Sequence, residues 1–573
     1  MQTQRFKTPF AEHIFRNKYA QGPNDNWDAL AERVVEDVCG TRWGTTTPLM
    51  VKSEREQLCD YIKRQVFLPG GRYLYYAGRP AKYFNNCYLL RAEEDTREEW
   101  SNVIWRATSC LMTGGGIGID YTRLRGSGKP LVRTGGIASG PIPLMHAVNE
   151  IGRNVMQGGS RRSAIYASLH HSHADVLEFL GVKDWDNIRA ANTGVSIGEL
   201  KKQDFNFPAP LDMTNISINY DDSWLNLPWV QNIIKPGWDG DRNALATEPD
   251  EIFLKNVTQA LSTGEPGFSF NFGLKQNETL RNACTEVTSE DDSDVCNLGS
   301  INMGNLESLE DFRTAVQLGT KFLVCGTLRA GLPYEKVYQV REKNRRLGLG
   351  LMGIHEWLLK RNYQYEVVPE LHEWLKVYRD ESTKAGTAHA EHLFISQPVA
   401  FRAIAPTGSI GILAATTTGI EPLYAVAYKR RYLTDGTRWK YEFVVDSVAD
   451  YLINRLDLNP DKIETATDLA EDYERRIKFQ ADVQDYTDMS ISSTINLPEW
   501  GSRANNPDRC TQFAKVLARY ANRLRGFTCY PDGARGGQPI SKVDYREAIK
   551  HRGTIFAEND ICDITGHGGS CGV

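Results

Sequence analysis

The segment "RNACTEVTSEDDSDVCNLGSIN", residues 281–302, places Asn282, Cys284 and Glu286 two apart and follows them with Cys296. Residues two apart point to different sides of a helix but share one face of an extended chain. An extended segment would therefore aim an amide, a thiol and a carboxylate into one space. A carboxylate beside a thiol opposes thiolate formation, because like charges disfavour one another. No histidine lies nearby in the sequence to activate the sulfur. The trio suits a neutral thiol that donates a hydrogen atom, with Glu286 as base toward a substrate hydroxyl. That is radical chemistry.

Other motifs nearly match known chemistry. "GGGIGID" (114–120) lacks the third glycine of a dinucleotide fingerprint, and "RGSGKP" (125–130) has Arg123 where a phosphate loop needs glycine. Both read as tight turns in packed loops. "APTGSIGILAATTTGIEP" (405–422) leads through Thr407, Gly408 and Ser409 into a helix start. Free N–H groups there would cradle phosphate; a structural loop with a capping hydroxyl fits equally. "HHSHADVLEF" (170–179) reads as a helix capped by Ser172 and Asp175 rather than as a metal site. No C-x-x-C pair occurs, so no zinc ribbon and no metal centre are expected.

The elements that must position these residues are those of a large globular protein. The 573 residues are 41% apolar and 24% charged, with a net charge of −5, which gives no footprint for nucleic acid. The first residues lack the apolar run of a signal peptide, and nowhere do eighteen apolar residues run together. A cytoplasmic protein with no membrane partner is expected. Eleven cysteines, an odd number, read as free thiols in a reducing compartment. Residues 1–85 read as helical. Beyond them, runs such as "SAIYASL" (163–169), "ADVLEFLGV" (174–182) and "NTGVSIG" (192–198) suggest alternating strands and helices of an α/β protein. Residues 200–250 look like an irregular excursion, and "DITGHGGSCGV" like a mobile tail.

Taken in order, the motifs resemble those of the ribonucleotide reductases. "NACTE" followed by "CNLGSIN" resembles the segment carrying the radical cysteine, and "NNCYLL" (85–90) the segment holding the first redox cysteine. "TGGGIGIDYTRLRGSG", "GGSRRSAIYASLHHSHADVLEFL" and "APTGSIGILAATTTGIEPLYAVAYKRR" resemble further family segments. "DMSISSTINLP" (488–498) and "YPDGARGGQP" (530–539) resemble the adenosylcobalamin-dependent, class II branch. The likeness runs from about residue 5 to 545.

The resemblance implies a ten-stranded α/β barrel of two antiparallel halves, each of five parallel strands, with Cys284 on a central finger loop. It implies a helical region at 1–85, a catalytic barrel at 86–545 and a mobile redox tail at 546–573. Cys284 would carry a thiyl radical, Glu286 act as base, and Asn282 orient the ribonucleotide. Cys87 and Cys296 would supply two electrons and become a disulfide, which Cys562 and Cys571 would reduce on behalf of thioredoxin or glutaredoxin. The last two are spaced more widely than the family's usual tail pair.

Thr407, Gly408, Ser409 and Ile410 would hold substrate phosphates, which resolves the loop in favour of binding. Asp95 and the segments 122–137 and 157–165, with Arg161 and Arg162, would form the specificity site for a dNTP or ATP effector in a homodimer. The cofactor would be adenosylcobalamin and the substrate a ribonucleoside diphosphate, with a triphosphate as the alternative. The N-terminus offers no room for an added regulatory cone, so no general shut-off by dATP is expected. Asn86 precedes Cys87 where a hydroxyl residue is usual, which alters the polar contacts available to a ribose. Two rivals are a class I large subunit, whose C-terminal tyrosine pair is absent here, and a barrel that binds nucleotide without turning it over.

Overall fold

The computed structural model describes residues 5–41, 47–132, 134–155, 163–191, 193–204, 207–234, 248–434, 438–534 and 540–557. Its centre is a large, mostly parallel sheet in a mixed α/β arrangement. The strands in chain order are β1 (Phe67–Pro69), β2 (Cys87–Arg91), β3 (Gly116–Asp120), β4 (Ile165–His170), β5 (Thr214–Tyr220), β6 (Gly267–Phe270), β7 (Leu280–Arg281), β8 (Thr288–Ser289), β9 (Asp294–Asn302), β10 (Leu347–Met352), β11 (Ala427–Thr434), β12 (Arg438–Val445), β13 (Thr494–Leu497), β14 (Gly526–Pro531), β15 (Ile540–Lys542) and β16 (Ile555–Ala557).

The main sheet runs β1-β9-β2-β3-β4-β5-β6-β14-β13, with β10 also on β9. Strands β2 to β6 are mutually parallel, β9 is parallel to β10, and β13 to β14. The two parallel blocks meet through antiparallel pairs, β2 on β9 and β6 on β14. Strands β2, β9 and β10 are buried at every position, as expected where helices cover a parallel sheet. The helix Leu309–Arg329 packs on β9 and β10 and lies against the helix Pro369–His392. A separate four-stranded sheet, β15-β11-β12-β16, stands beside the main one.

Three sequence expectations are corrected locally. "GGGIGID" is not a turn in a loop: Gly116–Asp120 is strand β3, its glycines leaving room for another segment. Ser172 caps no helix. The helix Val176–Gly181 starts after Asp175, whose carboxylate instead accepts from Ser127 N at 2.9 Å, while Ser172 Oγ lies 2.8 Å from His170 Nδ1. The capping arrangement occurs in "NTGVSIG", where Ser196 Oγ accepts from Glu199 N and opens the helix Ile197–Gln203. The excursion at 200–250 contains β5, whose sequence "TNISINY" is too polar to stand out.

Candidate active site

Strands β7 and β8 form a short hairpin, Leu280 opposite Ser289 and Arg281 opposite Thr288. Residues 282–287 make its turn. Asn282 closes it twice: its carbonyl accepts from Thr285 N at 3.0 Å and its side-chain Oδ1 from Val287 N at 2.9 Å. Thr285 reverses the chain with a left-handed φ of 68°. Asn282, Cys284 and Glu286 therefore do not share one face of an extended strand. The turn gathers them instead, with Asn282 and Glu286 buried and Cys284 half-buried between them.

The hairpin lies against β3 because that strand is glycine-rich. A Cβ on Gly118 would fall 1.8 Å from the Arg281 carbonyl oxygen, and one on Gly116 would sit 3.1 Å from Ala283 Cβ. Gly118→Ala is thus expected to displace the hairpin. Overpacking of this kind costs about 1–3 kcal/mol, measurable as a lower urea midpoint together with loss of whatever reaction the turn supports.

Both buried members of the trio touch Cys87. Asn282 Nδ2 donates to Cys87 Sγ at 3.0 Å, and the Cys87 thiol points to Glu286 Oε1 at 3.8 Å. Cys87 and Cys296 stand directly opposite one another in the β2–β9 pair and are both buried. Opposed residues of antiparallel strands point to the same face with Cβ atoms roughly 4.5–5.5 Å apart, close to the spacing of a disulfide. Oxidation of this pair needs little movement.

Burial sets the protonation of the cluster. It pushes the Glu286 carboxyl up to about 7, partly offset by hydrogen bonds from Asn282 and Cys87. It also pushes the Cys87 and Cys296 thiols well above their ordinary value, and the Glu286 charge adds to this at both. At neutral pH both sulfurs are thiols, suited to giving hydrogen and electrons rather than to nucleophilic attack. Glu286 Oε2 is buried and lacks a hydrogen-bond partner among the described residues. A buried oxygen in this state can take a donor arriving from outside, such as a substrate hydroxyl.

The segment 488–498 contributes contacts that sequence reasoning did not assign. Ser490 N donates to the Glu286 carbonyl at 2.8 Å, and Asp488 accepts from Phe401 N and Arg402 N at 2.8 and 2.9 Å. Its only sequence signal was the motif "DMSISSTINLP" as a whole.

The loop at 407–410 starts the helix Gly408–Ala414. Thr407 adopts a left-handed φ of 48°, and its hydroxyl accepts from Gly419 N at 2.9 Å, so that oxygen serves the loop itself. Ser409 Oγ lies 3.5 Å from Lys18 Nζ, and Gly408 faces open space. The loop borders a cleft of about 2390 Å³, which takes in Pro406 and Gly411 on either side of it and Thr494, Asn496 and Tyr530 from β13 and β14. At its other end β14 approaches the hairpin turn, where a Cβ on Gly526 would sit 3.7 Å from Thr285 Oγ1. Strand β14 thus reaches from the cleft to the turn.

Asp95, expected at an effector site, forms an ion pair with Arg125 of the segment 122–137. Arg161, Arg162, Cys562 and Cys571 lie outside the described residues.

The family model for the ribonucleotide reductase barrel domain matches residues 85–372 and 397–521. The chain is 26% identical over 525 residues to a vitamin B12-dependent ribonucleoside-diphosphate reductase of Thermoplasma acidophilum, covering 83% of this chain and 65% of that protein. It is 24% identical over 586 residues to a protein of the same description from Mycobacterium tuberculosis, covering 92% and 78%. A putative adenosylcobalamin-dependent ribonucleoside-triphosphate reductase of Mycobacterium phage D29 is 21% identical over 704 residues, covering 93% and 94%. The chain therefore spans slightly under two thirds of the first of these relatives and more of the other two.

Proposed function

The chain belongs to the ribonucleotide reductase family, and from that premise we propose that it is an adenosylcobalamin-dependent reductase of ribonucleoside diphosphates. The observation that carries the proposal is the meeting of Asn282, Glu286 and the opposed thiols Cys87 and Cys296 beneath the Cys284 turn. The relatives named as vitamin B12-dependent support the cofactor. In this reading the sheet closes into a ten-stranded barrel of two five-stranded halves, and the β7–β8 hairpin is its finger.

The cleft fits the cofactor by size. At about 2390 Å³ it exceeds the roughly 300–1,000 Å³ of an ordinary ligand pocket, as a large cofactor requires. Thr494, Asn496 and Tyr530 would line the shared wall. Adenosylcobalamin held there would supply one-electron chemistry for the Cys284 thiol.

The chain's own residues do the rest. The Cys284 sulfur abstracts the 3′ hydrogen, while Glu286 accepts the 3′-hydroxyl proton at its unpartnered oxygen. Asn282 holds Cys87 against that carboxylate and orients the ribose. The 2′-hydroxyl leaves as water, and Cys87 and Cys296 give two electrons and form a disulfide. Cys284 then returns its hydrogen to the 3′ carbon.

Thr407 to Ile410 would bind phosphates through backbone N–H groups, since the Thr407 hydroxyl is already engaged. Asp95 with Arg125, and Arg161 and Arg162, would read a dNTP effector across a homodimer interface. Cys562 and Cys571 would pass electrons from thioredoxin or glutaredoxin. No helix among the described residues is long and apolar enough to cross a membrane, in keeping with a cytoplasmic enzyme.

The test is deoxyribonucleotide formation from CDP and from CTP, with dithiothreitol, a dNTP effector and adenosylcobalamin. Cobalamin-dependent product, greater from CDP, is expected. Nucleotide binding without product would show a barrel that has lost its reaction. Pre-reduced enzyme given no external reductant should stop after about two products per chain, one from each thiol pair. The double variant Cys562→Ser/Cys571→Ser should stop after about one. Rapid-quench product counting distinguishes these, and equal counts would remove the tail from the electron path.

A further inference from the structure

The radical chemistry leaves unused a cluster at the far ends of two adjacent strands. Strands β4 and β5 are parallel with His170 opposite Asn219, and the pairing continues as His171 N donates to Asn219 O at 3.0 Å. This register sets His170, His171 and Asp221 side by side. We propose that these three side chains bind one divalent transition-metal ion of the zinc type.

The three side chains pair directly without an ion, and the spacing of their ligand atoms also suits a shared one. His170 Nε2 lies 3.2 Å from Asp221 Oδ2, and His171 Nε2 lies 3.5 Å from Asp221 Oδ1. A charge-assisted N–H···O bond is shorter, about 2.7–2.9 Å. Ligand atoms at about 2.0–2.1 Å from a tetrahedral ion are separated by about 3.3–3.4 Å. One potential ligand atom from each residue falls within 4.8 Å of the other two. The imidazoles are 4.4 Å apart and tilted by 42°, so their outer nitrogens converge without stacking face to face.

Outer contacts hold each ligand. His170 Nδ1 lies 2.8 Å from Ser172 Oγ. Without an ion Nδ1 accepts from Ser172 N at 3.2 Å, so Nε2 carries the hydrogen toward Asp221; an ion at Nε2 displaces that hydrogen to Nδ1, where Ser172 Oγ can accept it. Asp221 Oδ1 accepts from Ser223 Oγ at 2.5 Å and from Ser223 N at 3.0 Å. The His171 ring stacks on Tyr220 at 5.5 Å and 15°. Without an ion, His171 Nε2 can donate to Ser223 Oγ at 3.1 Å; metal binding replaces that hydrogen. Two imidazoles and one carboxylate suit zinc rather than magnesium or calcium, which take oxygen ligands. All three side chains are partly open to solvent, so water can complete the coordination.

The ion would clamp the ends of β4 and β5. The next residue, Asp222, accepts from Gly273 N at 2.9 Å, which extends the tie to the chain leading from β6 into the catalytic hairpin. A metal ion here runs against the sequence expectation of none, and Ser172 contacts His170 rather than capping a helix.

The full-length chain, in a Cys562→Ser/Cys571→Ser background to remove tail thiols and without cobalamin, is stripped by chelator dialysis. It is then titrated with zinc chloride against a chromophoric chelator. About one zinc per chain is expected, and His170→Gln/His171→Gln should weaken its binding by at least about 100-fold. Ser172→Ala, outside the ligand set, should weaken it by about 10–100-fold with an unchanged circular-dichroism spectrum. Equal zinc affinity in the parent, the histidine variant and Ser172→Ala, or no zinc in any, overturns the proposal.

Discussion

Cys284→Ser is expected to abolish deoxyribonucleotide formation while leaving nucleotide binding and the cluster beneath it in place. The residue sits at a turn held by its neighbours: Asn282 closes the turn and Thr285 reverses it. Serine is nearly isosteric and disturbs neither. The change is chemical, because an O–H bond does not give up its hydrogen atom as an S–H bond does. Product should fall below detection at every pH, with effector and substrate affinities within a few-fold of the parent. Equilibrium dialysis beside product assay separates the two effects. Residual turnover sensitive to cobalamin would move the hydrogen-transfer role to another sulfur, and Cys87 is the nearest candidate.

Glu286→Gln should lower turnover by about 10²–10⁴-fold, the usual contribution of a positioned base. The parent carries a further signature. A base must be ionised, and burial raises this carboxyl to about 7, so the rate should climb with pH through neutrality and level off above it. The variant should lose that limb. Stability moves the opposite way. A raised carboxyl favours the protonated folded state, so its contribution is complete below the ordinary value of 4.5 and is lost as pH rises toward 7. Above that, ionisation costs roughly 3 kcal/mol. The amide removes this cost, and the variant should resist urea as well as or better than the parent at pH 8. An inactive variant that is also markedly less stable would make Glu286 a structural residue.

The sequence revealed the parts of the site more readily than their arrangement. Asn282, Cys284 and Glu286 were legible because their types and spacing are unusual, and Cys87 and Cys296 through the family resemblance. The turn that gathers three of them was not, because it depends on a left-handed Thr285 and on an Asn282 side chain bonded to its own backbone. Neither feature follows from residue type. Strand β4 was readable as an apolar run, whereas β5, "TNISINY", was hidden by polar neighbours. The sheet built on β11 and β12 escaped notice because "AYKRRYLT" and "RWKYEFVV" interleave charges with aromatics. The glycines of β3 looked like a failed nucleotide motif; only the hairpin lying across Gly118 gives them a purpose.

The opposed pair Cys87 and Cys296 sits on the seam where the two parallel blocks of the sheet join. In the proposed cycle a disulfide there would lace one block to the other, so each round of chemistry would tighten the seam and each reduction release it. The protein would then be stiffest when product must depart and softest when substrate must enter. Amide hydrogen exchange along β2 and β9 should therefore slow on oxidation, making the seam a gauge of where the protein stands in its cycle.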